Sequence, residues 1–159
     1  MRPLHARAIV GFVATVGAIA IAFAGDPDPV VGTWQLNVSK STFTAGPTPK
    51  SQIRTYTQSG SSISVVIKTV GADGKESTLK TTYQLDGKNY PVTGAPDYDS
   101  LSAKQINPHT ASFTLMKAGK AVGRTSRTVS HDGKQMTSKL SLTSAKGEMT
   151  ESVLVFDRQ

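Results

Sequence analysis

Turn signals recur along most of this chain at nearly even intervals, and that rhythm restricts it to a succession of short strands. Gly60, Gly74, Gly87, Gly119, Gly133 and Gly147 are separated by 14, 13, 32, 14 and 14 residues. Three of these glycines follow aspartate, at Asp73-Gly74, Asp86-Gly87 and Asp132-Gly133. Asp-Gly favours a two-residue hairpin, because both central residues of a type I′ turn need positive φ. Between the turns the chain alternates. Trp34, Leu36 and Val38 share a face against Thr33, Gln35 and Asn37. Leu79, Thr81, Tyr83 and Leu85 alternate with Thr78, Lys80, Thr82 and Gln84, and Met136, Ser138, Leu140 and Leu142 with Thr137, Lys139, Ser141 and Thr143. Period two with one polar face is the mark of a half-buried antiparallel strand.

The pattern predicts ten strands, over 32–38, 51–58, 62–70, 76–85, 88–93, 100–106, 110–117, 120–130, 135–143 and 148–158. The 36 Ser and Thr residues, many beside Val, Ile and Tyr, fit strands better than helices. The longest connection, 39–50, ends in Pro47 and Pro49, which forbid a regular helix there, so no helical lid is expected. Residues 94–99 form a second irregular connection. An open meander of ten strands exposes two edges and one apolar face. Closing it into an up-and-down barrel removes the edges and turns that face inward. The fold class expected is therefore all-β: an antiparallel up-and-down β-barrel of about ten strands with short turns. A two-sheet sandwich is the rival, but Greek-key crossings need longer connections than these.

The first 24 residues read as a targeting segment. Arg2, His5 and Arg7 precede an uncharged run from Ala8 to Ala24 that ends in Ala22-Phe23-Ala24, a small-x-small site. This is the three-part pattern of a secretory signal peptide, with cleavage expected after Ala24 and export to the periplasm or medium. The run is short for a membrane span and rich in Ala and Gly, so none is expected after cleavage. Residues 25–159 then form one barrel domain. Losing Arg2 and Arg7 takes the 18 basic residues to 16 against 11 acidic ones, a balance of +5. These charges are spread singly along the strands, unlike the clustered footprint of a nucleic-acid binder. Without cysteine the chain has no disulfide framework, thiolate metal site or thiol nucleophile.

Gly32-Thr33-Trp34-Gln35-Leu36 opens the first strand and Val155-Phe156-Asp157-Arg158 closes the last. This pairing resembles the calycin superfamily of lipocalins and intracellular fatty-acid-binding proteins. The resemblance implies that Trp34 packs at the closed end of the barrel with Arg158 over its indole. The fatty-acid binders share the ten strands and the Gly-Thr-Trp-x-Leu opening. The chain also resembles a group of small exported bacterial proteins of unassigned function. Their recurring stretches stand here as Gly32-Thr33-Trp34 with Asn37, Lys40-Ser41, Phe43, Gly46-Pro47, Tyr90-Pro91-Val92-Thr93-Gly94, Asp132-Gly133-Lys134 and Met136-Thr137. Two departures from the fatty-acid binders matter. The helical lid has no counterpart in 39–50, and Leu154 and Phe156 stand where the carboxylate-gripping Arg and Tyr of those proteins would be.

The inward face mixes large apolar residues with Thr55, Thr57, Thr81, Ala111, Thr125 and Ser138, and small inward residues leave room for a ligand. The expected site comprises Trp34, Tyr56, Tyr83, Phe113, Arg127 and Phe156, with Trp34 and Arg158 closing the barrel. Arg127 alternates with Thr125 and Val129 and so points inward; a buried cation needs a partner, and without a carboxylate it becomes an anchor for an anionic ligand group. Phe43 and Tyr98, on the two irregular loops, either rim a mouth or anchor their loops. His109 and His131 read as turn residues without a second metal ligand at suitable spacing. Haem held by His109, as in the ten-strand nitrobindin barrels, is a further alternative. No Gly-x-Ser-x-Gly elbow, phosphate loop or carboxylate pair suggests catalysis, and no cofactor is expected. The sequence thus leads to a monomeric, non-catalytic, exported barrel for a small, mostly apolar or amphiphilic ligand. Neutral ligands are expected to be preferred unless Arg124 or Arg127 supplies a cation. A solid-cored barrel acting through its outer surface at the cell envelope is the competing expectation.

Overall fold

The computed structural model describes residues 26–44, 47–143 and 147–159. The proposed signal segment, residues 1–24, lies outside the described residues. The described residues form eleven strands: β1 (Gly32–Leu36), β2 (Thr42–Phe43), β3 (Ser51–Ser59), β4 (Ser62–Val70), β5 (Glu76–Tyr83), β6 (Asp86–Thr93), β7 (Ser100–Asn107), β8 (Thr110–Lys117), β9 (Lys120–Val129), β10 (Gln135–Thr143) and β11 (Met149–Arg158). All pairings are antiparallel, and apart from β2 each strand neighbours the next in sequence. β1 also pairs with β11, Trp34 opposite Arg158 and Leu36 opposite Phe156, which closes ten strands into a barrel. The fold is a closed, antiparallel, up-and-down β-barrel, consistent with the calycin architecture. Closure satisfies the backbone groups that two free edges would leave open.

Two short elements were not legible as strands. Val38–Lys40 make one 3-10 turn, capped by Asn37, whose side chain accepts from the Lys40 amide. Val38 therefore leaves the inward alternation and is exposed. β2 pairs two residues with β11 beyond the stretch that β1 pairs, Thr42 opposite Val153 and Phe43 opposite Ser152. The Asn37, Lys40-Ser41 and Phe43 motif is what fastens this loop. Asn37 Nδ2 donates to Asp157 at 2.6 Å, the Val155 amide donates to Ser41 Oγ at 2.9 Å, and Phe43 packs on the core.

The Asp-Gly pairs do not form two-residue hairpins. Asp73-Gly74 and Asp132-Gly133 lie inside five-residue connections, because β4 ends at Val70 and β5 begins at Glu76, and β9 ends at Val129 and β10 begins at Gln135. Each Asp instead accepts from the amide two residues on: Lys75 at 3.0 Å, Lys88 at 3.0 Å and Lys134 at 3.1 Å. This Asx turn competes with the tight hairpin for the same residue pair. The two-residue turns fall at Gly60-Ser61, Pro108-His109 and Ala118-Gly119.

One strand presents the opposite face from that expected. Ile53, Thr55 and Thr57 point outward, and Ile53 is left 40% exposed. Arg54 and Tyr56 point inward in their place. Alternation within β3 is weak, so its neighbours decide. Tyr56 stands opposite Val65 and Arg54 opposite Ile67 on β4, whose own apolar pattern is strong. A slip of one residue would turn every side chain over.

The core is solid at one end. Trp34, Tyr83, Phe156, Met136, Val30 and Val129 are its largest fully buried side chains. They gather where β1 and β4 begin and β5, β9 and β11 end. Segment 26–31 crosses this end ahead of β1 and supplies Val30 to the core.

Candidate ligand site

Five contacts hold the closed end. The Trp34 indole N–H donates to the Val30 carbonyl at 2.7 Å. The Arg158 guanidinium lies 4.2 Å from the Trp34 ring centroid. It also donates to the carbonyls of Val31 at 2.8 Å, Pro29 at 2.6 Å and Gly133. Gly32 is part of the same unit. Its φ is +134°, and a Cβ there would meet Arg158 Nη1 at 2.5 Å. The Gly-x-Trp opening and the terminal Arg are thus one physical device: the glycine clears the space that the arginine needs to cover the indole.

Above this plug lies a cavity of about 110 Å³. Val65, Ile67, Leu79, Leu101, Leu115, Leu140 and Leu154 supply its aliphatic wall. Tyr56, Tyr83, Tyr98, Thr81 and Ser138 bring polar atoms to it, and Arg54 and Arg127 bring charge. No lining residue is acidic. Of the expected site residues, Tyr56, Tyr83, Phe113 and Arg127 line the cavity. Trp34 and Phe156 do not; they are packed into the plug beneath it. Tyr98 reaches in from the 94–99 connection and packs on the core. Wider hollows, of about 440 and 380 Å³, lie along β8–β11 and are lined largely by Ser, Thr, Lys and Arg of the outer face.

The two arginines differ. Arg127 is buried, with only 4% of its surface exposed. Its Nη2 faces Asp28 at 3.3 Å, and its Nη1 donates to the Tyr83 hydroxyl at 2.7 Å. The Tyr56 and Phe113 rings flank it at 5.6 and 5.5 Å. Burial works against its charge, but Tyr83, Tyr56 and Asp28 outweigh it and raise its pKa above the ordinary value. Burial likewise pushes the Tyr83 phenol well up, against the opposing pull of Arg127, so it stays a neutral donor and acceptor. Arg127 does therefore have a carboxylate, Asp28, supplied from ahead of β1 and 99 positions away in sequence. Its Nε remains buried without a hydrogen-bond partner.

Arg54 was not singled out from the sequence, although alternation with Tyr56 on β3 would have placed it inward. It is half-buried. Its guanidinium lies 4.2 Å from the Phe156 ring centroid, Nε donates to Gln52 Oε1 at 2.9 Å, and Nη1 donates to Ser138 Oγ at 3.1 Å. Among the described residues no carboxylate pairs with it. Arg124 points away from the cavity and is exposed. Beside Arg54, burial raises the Tyr98 phenol pKa against the lowering pull of the arginine.

His109 does not line the cavity, so it is not placed to hold a haem there. The fold instead brings it against His131, ring centroids 4.6 Å apart, an adjacency that their spacing of 22 residues concealed. Among the described residues no three His, Asp or Glu converge to hold a metal. No helix among them is long and apolar enough to cross a membrane.

No protein-family model and no curated protein matches the chain. Solved structures do. The protein described as EF1p2_mFAP2b bound to DFHBI is similar at 13% identity and a TM-score of 0.51, over 82% of this chain and 94% of that one. The shared fold is a closed antiparallel β-barrel, consistent with the calycin architecture. Rv2717c from M. tuberculosis is similar at 15% identity and a TM-score of 0.49, over 82% of this chain and 93% of its own. The siderocalin Ex-FABP aligns at 9% identity and a TM-score of 0.39, over 82% and 74%. At these identities the likeness is one of fold.

Proposed function

We propose that this chain is an exported, non-catalytic carrier barrel that holds one small, mostly apolar ligand in the cavity above the plug. The observation that carries this reading is the cavity itself: a space of about 110 Å³ with seven aliphatic side chains in its wall and a few convergent polar groups. A solid-cored barrel would have closed it, since interiors normally leave few voids larger than a water. An apolar cavity of about 150 Å³ takes up benzene, so the ligand here is the size of a single small ring rather than a long acyl chain. Burying about 150 Å² of apolar ring surface at ~25 cal/mol/Å² yields roughly 4 kcal/mol, which corresponds to a Kd near 1 mM. The similar fold of a barrel described with bound DFHBI is compatible with this reading.

Benzyl alcohol is a suitable neutral probe. Titration by heteronuclear NMR is expected to shift the amides of Leu79, Leu101 and Leu115 and to saturate at millimolar concentration. Thr125→Phe, which fills the cavity, is expected to abolish those shifts while the protein still melts cooperatively. Shifts confined to the outer face of β8–β11, or none, would sink the carrier reading in favour of the solid barrel. Export is read from the Arg2–Ala24 pattern. N-terminal sequencing of the exported protein is expected to begin at Gly25; recovery of Met1 on membrane-bound material would overturn it.

A further inference from the structure

We infer that Arg54 is the ligand-selecting residue of this cavity, and that the ligand it selects is a one-ring acid whose carboxylate meets the free side of the Arg54 guanidinium. The inference rests on the carrier reading above and goes beyond it by naming the charge of the ligand.

The argument begins with the charge of the cavity wall. Two arginines and no acid line it. Asp28 reaches Arg127 from outside that wall and neutralises it at 3.3 Å. Among the described residues Arg54 has no such partner. Its protein acceptors are one amide oxygen and one hydroxyl, at 2.9 and 3.1 Å, and both are neutral. A guanidinium offers five N–H donors, so these two bonds leave Nη2 and part of Nη1 without a protein acceptor. Arg54 is nonetheless fixed in place. Phe156 lies under its plane at 4.2 Å, and Gln52 and Ser138 hold it from β3 and β10. A pre-oriented planar fork with a free side matches a carboxylate bidentately. Arg127 adds a buried Nε without a partner to the same cavity. The result is a site with net positive charge, an apolar wall beneath it and room for about one ring.

This departs from the expectation that neutral ligands are preferred. That expectation rested on Leu154 and Phe156 replacing the carboxylate-gripping pair, and on Arg124 or Arg127 as the alternative cations. The unpaired cation comes instead from the third strand, on a face that β3 alone does not reveal.

The test uses benzoate and benzyl alcohol, which share a ring and differ in charge. Both are titrated into the mature protein at about pH 8, where benzoate is ionised, by calorimetry and by NMR. Benzoate is expected to bind at least tenfold tighter than benzyl alcohol. In Arg54→Gln benzoate is expected to lose at least tenfold in affinity, so that the ratio of the two probes' affinities falls to about one. In the unmutated protein the Arg54 Nε–H resonance is expected to shift with benzoate and stay still with benzyl alcohol, a readout that does not depend on the variant folding. Equal affinities in the unmutated protein would overturn the anchor and leave the carrier reading standing. A benzoate preference that survives in Arg54→Gln would also overturn it and point to Arg127. If neither probe binds, the carrier reading fails and takes the anchor with it.

Discussion

Removing the Asp28 carboxylate tests the charge arrangement on which the interior depends. Asp28 and Arg127 form a buried ion pair, with 10% and 5% of their side chains exposed and 3.3 Å between Oδ2 and Nη2. At an effective dielectric constant of about 20, two unit charges at this distance attract by roughly 5 kcal/mol. The net worth of the pair is smaller, because both charges were desolvated to form it. Breaking it from one side is a different matter. Asp28→Ala leaves a guanidinium buried with only the Tyr83 hydroxyl as partner, and loss of one member of such a pair costs about 3–5 kcal/mol. Asp28 Oδ1 also accepts from the Val30 amide at 2.9 Å, worth about 1 kcal/mol more. The expected loss is about 4–6 kcal/mol, seen as a fall of roughly 12–18 °C in Tm at about 3 °C per kcal/mol. Urea denaturation followed by far-UV circular dichroism measures it directly. The double variant Asp28→Ala/Arg127→Met is expected to be more stable than Asp28→Ala, because it removes the stranded charge. A cost below about 1 kcal/mol for Asp28→Ala would refute the buried pair. So would strictly additive effects in the double variant.

Trp34→Ala is expected to cost about 3–5 kcal/mol by emptying a fully buried aromatic site, and the native indole should emit at short wavelength and resist iodide quenching. Gly94→Ala should cost at least about 3 kcal/mol by chemical denaturation, because Gly94 has φ +81° and a Cβ there would stand 2.0 Å from the Thr78 carbonyl oxygen, which belongs to the backbone and has nowhere to go. Acid should weaken the seam between the loop after β1 and strands β10 and β11. Hydrogen bonds from Asn37 and then Gln135 hold the Asp157 carboxyl below the ordinary range, so its contribution is complete above the unfolded value of about 3.9 and is lost as pH falls through the lower folded value. Asp157→Asn should therefore show a shallower loss of stability below about pH 4 than the unmutated protein, and identical slopes would refute the assignment.

Four of the six expected ligand-site residues, Tyr56, Tyr83, Phe113 and Arg127, do line the cavity. Arg127 was legible because it alternates with Val129, and Tyr83 because it alternates with Leu79 and Leu85, although the face of Tyr83, like that of Tyr56, was open from the sequence. Trp34 on β1 and Phe156 on β11 also face inward but lie one level lower, in the plug, and depth along the barrel axis leaves no mark in a period of two. Arg54 escaped notice because Ile53, Thr55 and Thr57 offered an equally plausible inward face. The Asp-Gly pairs misled for a local reason, since the same residues that open a tight hairpin also make an Asx turn.

The sequence by itself determined the ten barrel strands, their boundaries to within two residues and the closure of the sheet; the two-residue β2 it did not show. Each of those follows from interactions within a few residues: glycine turns, side-chain alternation and the need to leave no apolar face or edge in water. Only the tertiary structure decided which way β3 faces, which carboxylate answers Arg127 and which arginine is left without one. Those depend on register between strands and on Asp28 returning to a residue 99 positions away. A pairing at that separation is set by how the barrel closes, and no local pattern encodes it.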